Sequence, residues 1–495
     1  MTRTAATAHP STDRAGLRFL VIGAGMSGIL SAIKLREAGY HDFEIYEKTD
    51  RLGGTWRENT YAGVGCDVPS HLYSYSFALN PDWSHRFSPG GEIQTYFEDV
   101  ARRYGVDRVI RYGQEVRRCA FENGRWHIEL SDGSRDVGDV VIAATGVLHH
   151  PAYPDIPGLD SFAGVSFHTA RWNHAVPLAG QRVGIIGTGS TAVQIVPSVI
   201  GDVAKLSLFQ RTAQWVVPQD NPAYTEDEKA AFRRHPETMK QLRADISRMF
   251  ADMFSNAVVD ASSPQLQAIH AACVANLESQ VRDPVLREKL RPDYRAGCKR
   301  LVMSADFYQA IQRPNAELVT EGIERIEPSG VRTRDGRLHE LDVLILATGF
   351  RVDRFMRPME VVGRDGLALE EAWRKGPIAY MAISIPDFPN LFMLNGPNGP
   401  VGNFSLIEVA ELQLGYALQL VDRIRAGECR EVSASREATE RFDAERRQAT
   451  RKTIWASGCR SWYLDAEGVP AVWPWSFDRL REEMATPRIA DFELR

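Results

Sequence analysis

Short apolar runs alternate with longer amphipathic stretches from Leu17 onward. The runs at residues 19–22 and 43–46 flank a helix-like stretch, and the same order returns at residues 183–186 and 206–209. Strands that alternate with helical sequence are typical of a parallel sheet covered by helices. The pattern therefore predicts an α/β fold in which one strand–helix–strand plan occurs twice.

Two further apolar strands end in the same small-residue turn. Val140–Gly146 and Val343–Phe350 both run into Ala-Thr-Gly, and each follows an aspartate, Asp139 or Asp342. Such a turn lets the backbone pass close to a bound nucleotide. We expect each of the two units to carry one copy, so that the architecture repeats itself.

The segments between and after these units differ in character. Three closely spaced prolines after the first Ala-Thr-Gly turn, Pro151, Pro154 and Pro157, indicate a linker. Residues 222–296 have few strand signals and begin with a plausible capping box, Thr225 and Glu228, which predicts a helical insertion. The chain is then expected to return to the first unit after Asp353. The predicted divisions are residues 17–150 with 356–495, residues 151–221 with 297–355, the insertion 222–296, and a disordered tail 1–16.

A glycine-rich motif follows the first strand of each unit. Residues 23–28 have glycine at Gly23, Gly25 and Gly28, and the second copy runs Gly187-Thr188-Gly189-Ser190-Thr191-Ala192. The first glycine permits the turn out of the strand, the second lets a pyrophosphate approach, and the third position must be small for helix packing. The helix N-terminus then holds the phosphate charge. Two copies predict two Rossmann-like domains that bind two dinucleotides.

The residues at the end of the second strand of each unit indicate which dinucleotide that unit binds. Glu47 ends the strand of the first unit, where a carboxylate accepts hydrogen bonds from ribose hydroxyls, so FAD or NAD is expected there. Arg211, followed by Thr212, stands in the second unit and favours a 2′-phosphate, hence NADPH. The alternative for Arg211 is a solvated surface arginine.

Composition narrows the range of functions. The chain has 495 residues, 44% hydrophobic and 25% charged, with a net charge of −5 and no basic block, which argues against nucleic-acid binding. No apolar run is long enough to span a membrane, and the N-terminus lacks a signal core. The six cysteines are scattered without metal-binding spacing, so we expect no metal, and free thiols in a reducing cytoplasm.

Two other segments are candidates for function. Residues 53–56, Gly-Gly-Thr-Trp, give backbone room beside a ring system that Trp56 could cover, although a glycine loop with a core tryptophan would look the same. Residues 162–172 lie between the two units and contain His168. From spacing alone, a structural histidine is the better interpretation of that residue.

With these motifs taken together, the chain resembles the type I Baeyer–Villiger monooxygenases, a branch of the class B flavin monooxygenases. The resemblance covers about residues 17–485. Its motifs are the two glycine fingerprints, Gly53-Gly54-Thr55-Trp56 with Tyr61, Gly63, Cys66 and Asp67, the pattern Phe162, Gly164, His168 and Trp172, and the segments Gln210-Arg211-Thr212, Lys299-Arg300 and Ala347-Thr348-Gly349-Phe350.

The resemblance implies an enzyme that uses FAD, NADPH and O2. It implies that a C4a-peroxyflavin attacks a ketone and gives an ester or lactone. Arg300 would stabilise negative charge and Asp67 would hold it, whereas from sequence alone the two would be an ordinary surface pair. Lys299, with Arg211, would grip the 2′-phosphate. The 162–172 pattern would link the two domains without touching the substrate.

Three departures from the family pattern leave alternatives open. Ala62, Asn173 and Ala382 stand where the family usually has proline, proline or aspartate, and glycine. An N- or S-oxygenating flavin monooxygenase is therefore the alternative function. A disulfide reductase is rejected because Cys66 has no nearby partner cysteine. The ketone is not specified, and the resemblance implies a monomer or weak dimer. The aromatic residues Trp462, Tyr463, Trp473 and Trp475 could shape the pocket or fill the core.

Overall fold

The computed structural model describes residues 16–400, 402 and 404–495. The predicted disordered tail lies outside the described residues, apart from Gly16. The strands are β1 (Phe19–Ile22), β2 (Phe43–Tyr46), β3 (Ile110–Arg111), β4 (Val116–Glu122), β5 (Arg125–Leu130), β6 (Arg135–Gly138), β7 (Val140–Ala143), β8 (Val165–His168), β9 (Arg182–Ile186), β10 (Lys205–Phe209), β11 (Val216–Pro218), β12 (Val302–Ser304), β13 (Ala316–Val319), β14 (Ile323–Glu327), β15 (Gly330–Thr333), β16 (Leu338–Glu340), β17 (Val343–Leu346), β18 (Glu360–Val362), β19 (Leu391–Met393), β20 (Val432–Ala434) and β21 (Phe492–Leu494). The α-helices are α1 (Met26–Glu37), α2 (Thr55–Glu58), α3 (Gly90–Arg103), α4 (Ser190–Val199), α5 (Glu226–Arg234), α6 (Pro236–Phe250), α7 (Asn256–Val258), α8 (Pro264–Gln280), α9 (Pro284–Lys289), α10 (Phe307–Ala310), α11 (Leu369–Ala372), α12 (Leu406–Arg425), α13 (Arg436–Thr450) and α14 (Phe477–Ala485).

The first parallel sheet has the strand order β19-β7-β1-β2-β3. Every residue of β1 and β7 is buried, as expected for continuous apolar strands covered on both faces. The edge strand β19 comes from the last quarter of the chain and pairs in parallel with β7. Helix α12 then packs beside α1. The C-terminal part of the chain therefore completes the first unit.

The second parallel sheet, β13-β10-β9-β17-β8, follows the same plan. In each sheet the strand before the glycine motif lies next to the strand that ends in Ala-Thr-Gly. Each unit also carries an antiparallel meander. Strands β4–β6 form it in the first unit and precede β7, and strands β14–β16 form it in the second unit and precede β17. The internal repeat expected from the sequence is present.

The insertion is helical and contacts both units. Its capping box is formed: the Glu228 backbone N–H donates to the Thr225 hydroxyl at 3.2 Å, and the Thr225 N–H donates to the Glu228 carboxylate at 2.7 Å. Buried residues from its first half, such as Ile246, pack into the core of the first unit. Residues from its second half, such as Cys273 and Leu277, pack into the core of the second. The insertion thus bridges the two units.

One expectation about the cysteines is wrong. Cys298 and Cys459 form a disulfide with their Cα atoms 6.2 Å apart. Their separation of 161 residues gives no local signal, because only the fold brings the two segments together. Cys66, Cys119 and Cys273 are buried free thiols, in agreement with the prediction.

The described residues contain neither a helix suited to a membrane nor a cluster suited to a metal. No helix there is long and apolar enough to cross a membrane. No cluster of histidine, cysteine, aspartate and glutamate there could hold a metal ion. The cytoplasmic location stays a prediction.

Candidate active site

Both glycine motifs open onto one cavity of about 1550 Å³. This exceeds the roughly 300–1,000 Å³ of a pocket for one small ligand. Of the predicted cofactor-binding and catalytic residues, all but Gly28 lie on its walls. Those residues are Gly23, Gly25, Glu47, Gly54, Thr55, Trp56, Asp67, Gly187, Gly189, Ser190, Thr191, Arg211, Thr212, Lys299 and Arg300.

The first glycine of each motif meets the Ala-Thr-Gly turn of the same unit. Gly23 has φ +103°, and a Cβ there would lie 2.6 Å from the carbonyl oxygen of Ala144. Gly187 has φ +113°, and its Cβ would lie 2.3 Å from the carbonyl oxygen of Ala347. Both positions need glycine for conformation and for space. The two sequence motifs of each unit are therefore parts of one structural feature.

The remaining glycines serve two different purposes. A Cβ on Gly28 would lie 1.9 Å from the Gly23 carbonyl oxygen, so this glycine permits the close packing of α1 on the turn. Gly189 precedes α4, and no protein atom lies within 4 Å of where its Cβ would stand. That open space at a helix N-terminus faces the cavity and suits a pyrophosphate.

Glu47 is held in place at the end of β2. Its carboxylate accepts hydrogen bonds from the Ala24 backbone N–H at 2.9 Å and from the Thr49 hydroxyl at 2.7 Å. Only 6% of the residue is exposed, yet it lines the cavity. The carboxylate is thus fixed where it can accept hydrogen bonds from ribose hydroxyls.

Two cations share the wall of the second unit. Burial lowers the pKa of Lys299; the charge of Asp293 acts in the opposite direction, and the positive charge of Arg211 adds to the lowering. The Lys299 ammonium also lies 4.7 Å from the centre of the Tyr294 ring, which orients it. Because the two cations repel each other, this wall is suited to a dianion such as a 2′-phosphate.

Arg300 and Asp67 meet although they are far apart in sequence. A guanidinium N–H of Arg300 donates to the Asp67 carboxylate at 2.5 Å. The Asp67 charge raises the pKa of Arg300. The two side chains keep 32% and 26% of their surface exposed on the cavity wall. The cation is thus both fixed and accessible.

The segment after Trp56 docks the first unit against helix α4 of the second. The Tyr61 hydroxyl donates to the Gln194 side chain at 2.7 Å, and the Gln194 amide donates to the Gly65 carbonyl at 3.1 Å. A Cβ on Gly63 would lie 2.1 Å from the Ser198 hydroxyl. Tyr61, Gly65 and Gln194 line the cavity at this junction, as does Trp56.

None of the four residues of the 162–172 pattern, Phe162, Gly164, His168 and Trp172, lines the cavity. His168 is the last residue of β8, the edge strand of the second sheet, and the other three stand before or after that strand in the chain. His168 is fully buried, and its Nδ1 accepts from the Ala170 N–H at 3.1 Å.

Neighbouring side chains make the contacts to the first unit. Arg171 forms an ion pair with Glu58, and the His174 ring lies 2.8 Å from the Thr60 hydroxyl. The segment thus reaches the other unit through Arg171 and His174, whereas the pattern residue His168 stays within its own sheet.

Part of the cavity wall comes from residues that the sequence analysis missed. Arg460, Ser461, Gly402 and Phe404 line it, together with Trp462, one of the four C-terminal aromatic residues considered above. Of the others, Tyr463 and Trp473 are buried and Trp475 packs against the core. Proximity in sequence to Trp462 was the one available signal for Arg460 and Ser461.

Comparison with known proteins identifies the family. A family model described as pyridine nucleotide-disulphide oxidoreductase matches residues 20–228. A Baeyer–Villiger monooxygenase of Streptomyces coelicolor is 40% identical over 97% of this chain and 92% of its own length. The chain belongs to the Baeyer–Villiger monooxygenase family. An uncharacterized monooxygenase of Mycobacterium tuberculosis is 48% identical, with 96% of this chain and 95% of its own length covered.

Solved structures confirm the fold of this Baeyer–Villiger family member. Cyclohexanone monooxygenase from Rhodococcus sp. Phi1 bound to NADP+ has a TM-score of 0.87 at 28% identity. OTEMO in complex with FAD and NADP has a TM-score of 0.88 at 26% identity. Both comparisons cover 97% of this chain and 99% of the other. The predicted family and the predicted α/β fold with two dinucleotide-binding units are confirmed.

The structure shows where the three residues that depart from the family pattern lie. Ala382 has φ +62°, a left-handed conformation that glycine adopts without strain. Asn173 caps the following turn, since its side chain accepts from the Ala175 N–H at 3.1 Å. Ala62 packs against the core of the second unit. None of the three lines the cavity.

Proposed function

We propose that this chain uses NADPH to insert one oxygen atom of O2 beside the carbonyl of a ketone, giving an ester or lactone. In balance, ketone, O2, NADPH and a proton give ester, NADP+ and water. The observation that carries the proposal is the Arg300–Asp67 pair, which lies on the wall of a cavity shared by both glycine motifs. A bound FAD, reduced by NADPH, supplies the activation of O2.

The residues present fit both cofactors. In the first unit, taken as residues 17–150 with 356–495, the turn at Gly23 and the fixed carboxylate of Glu47 would hold FAD. In the second, residues 151–221 with 297–355, the space at Gly189 and the two cations would hold NADPH. These boundaries and roles are part of the proposal.

Arg300 supplies a fixed positive charge that is not a proton source. Oxygen insertion next to a carbonyl builds negative charge on oxygen, and a protonating group would quench it. Arginine keeps its proton at any working pH, and the Asp67 charge raises its pKa further. Electrostatic stabilisation of this kind contributes about 3–4 kcal/mol. Asp67 sets the direction of the guanidinium.

Product analysis tests the proposal. Purified protein, NADPH and O2 would be incubated with cyclic, linear and aryl ketones and one thioether, and mass spectrometry would score esters, lactones and sulfoxide. We expect at least one ketone to give its ester or lactone.

Arg300→Ala should keep bound FAD and NADPH oxidation but lose at least 100-fold in ester formation. The control is Arg282→Ala, an exposed arginine away from the cavity.

Two results would contradict this function. Sulfoxide formation alone, with NADPH consumed, would place the chain with the N- or S-oxygenating enzymes, whose electrophilic attack does not need an anionic oxidant. A wild-type ester yield from Arg300→Ala would show that Arg300 takes no part in oxygen insertion.

A further inference from the structure

The disulfide between Cys298 and Cys459 connects two segments of the cavity wall. Cys298 directly precedes residues 299–300, and Cys459 directly precedes residues 460–462. All five of these residues line the cavity. The bond therefore holds a segment from the C-terminal part of the chain beside the segment that carries Arg300, although 161 residues separate the two cysteines.

Few other interactions hold residues 459–462, which we call the 459–462 loop. Among the described residues, the hydrogen bonds of this loop are made by Ser461. Its hydroxyl accepts from the Tyr463 N–H and its carbonyl accepts from the Leu464 N–H, both at 3.3 Å. These partners follow directly in the chain. Of the hydrogen bonds and covalent bonds between described side chains and backbone, the disulfide is thus the one that links the loop to the Arg300 segment.

The two cysteines differ in how easily a reagent can reach them. Cys298 is fully buried, whereas Cys459 is partly exposed and has exposed neighbours, Gly458 and Arg460. The Ser457 hydroxyl donates a hydrogen bond to the Cys298 Sγ at 3.1 Å. Because a hydrogen bond to a charged group favours the charged form, this hydroxyl stabilises Cys298 as a departing thiolate. The geometry therefore favours attack at Cys459 with Cys298 as the leaving group.

We propose that this disulfide is a redox-sensitive tether that a dithiol reductant opens. A thiolate of the dithiol attacks the Cys459 Sγ and forms a mixed disulfide, while the Sγ–Sγ bond breaks and its electron pair leaves on Cys298, which then takes up a proton. The second thiol of the reductant displaces Cys459 as a thiol and closes the reductant's own disulfide. In balance, the protein gains two electrons and two protons, and the dithiol is oxidised.

Opening the tether should loosen this wall without unfolding the protein. The Arg300 segment keeps its packing, because Ala296 and Cys298 are fully buried. The 459–462 loop has exposed side chains and only local hydrogen bonds, which are properties of segments that open at low cost. Since Lys299 directly follows Cys298, the ligand affected should be NADPH, a step that rests on the proposed function.

The first test follows the loop itself and does not depend on activity. Holoenzyme is kept oxidised or treated with dithiothreitol, and is then denatured and alkylated for mass spectrometry. We expect Cys298 and Cys459 to escape alkylation in the oxidised protein and to be alkylated after reduction. Hydrogen exchange in a peptide spanning residues 458–463 should become at least about tenfold faster on reduction, while strand β1 stays unchanged. Alkylation of both cysteines in the oxidised protein, or an unchanged exchange rate of the loop, would overturn the inference.

The second test measures the Kd for NADP+ by titration of the flavin absorbance of the holoenzyme. We expect Kd to rise at least about threefold when wild type is reduced, because the loop then no longer supports the wall at Lys299. Cys459→Ser should show the weaker binding without reductant and no further response to it. Cys119→Ala is the matched control, because Cys119 is as buried as Cys298 but lies away from the cavity, and it should respond as wild type does.

Two results of this titration would contradict the tether. They are binding of NADP+ by Cys459→Ser as tight as that of oxidised wild type, and a response of Cys459→Ser to reductant. If oxidised wild type does not bind NADP+, the proposed function fails, while the exchange measurement still decides whether the disulfide holds the loop.

Discussion

Gly189→Ala separates what the fold requires from what a ligand requires. Gly189 has φ −73° and ψ −173°, an extended conformation that alanine adopts without strain. No protein atom lies within 4 Å of the added methyl group. Because alanine restricts the unfolded chain more than glycine does, the free energy of unfolding without nucleotide should stay equal or rise by up to about 1 kcal/mol.

The same methyl group should interfere with NADPH. It would occupy the space in which the pyrophosphate meets the N-terminus of α4. Overpacking by one methyl group costs about 1–3 kcal/mol, which corresponds to roughly 5- to 150-fold weaker binding. We therefore expect KM for NADPH to rise by that factor, with bound FAD unchanged and the melting temperature equal to or slightly above that of the wild type.

The assay pairs thermal unfolding of nucleotide-free protein with steady-state NADPH oxidation. Gly91→Ala is the control, because Gly91 also has no atom within 4 Å but lies away from the cavity. It should leave KM unchanged. An unchanged KM for Gly189→Ala would refute the assignment of this turn to the pyrophosphate, and a large loss of stability would refute the geometry.

Three other substitutions probe separate contacts. Gly28→Ala should lower stability by about 1–3 kcal/mol and reduce bound flavin, because its Cβ would lie 1.9 Å from a backbone oxygen; a wild-type melting temperature and flavin content would contradict this. Lys299→Ala should reduce the preference for NADPH over NADH by roughly 10- to 100-fold in kcat/KM, since a charged hydrogen bond contributes about 1.5–3 kcal/mol; an unchanged ratio would remove Lys299 from the phosphate site. His71 is 1% exposed, and burial lowers its pKa to about 4, below the unfolded value of about 6.5. The unfolded chain therefore binds a proton at His71 more readily than the folded one does, so acidification lowers the free energy of unfolding. This loss begins below about pH 6.5, continues towards pH 4, and is about 2 kcal/mol at pH 5. In urea unfolding at pH 7.5 and pH 5, His71→Phe should lose less stability on acidification than wild type. An equal loss would show that protonation of His71 does not cause the acid destabilisation.

Local pattern predicted most of the fold. The apolar run at residues 19–22 and the segment 43–46 beyond the first glycine motif predict strands that match β1 and β2 residue for residue. The capping box also formed as expected, because the donors and acceptors lie within one helical turn. In each case the determining interactions are near in sequence, so the sequence carries them directly.

Contacts between distant segments were not predictable in the same way. Arg300 and Asp67 were connected only through the family resemblance, since a single charge pair has no recognisable spacing. The disulfide between Cys298 and Cys459 was missed for the same reason. Both contacts join segments from different parts of the chain, and only the docking of the two units and the C-terminal loop brings them together.

The third position of the glycine motif shows that one sequence signature records two kinds of constraint. The first unit has Gly28, where a Cβ would collide with the Gly23 carbonyl oxygen, whereas the second unit accommodates Ala192 fully buried at the same position. That position therefore reports how closely a helix packs on its own turn. Gly189 meets no such limit from the protein, and this open space supports the proposal that a ligand lies beside it. A match at the third position is evidence for the fold, and a match at the second, where the space around it is open, is evidence for binding.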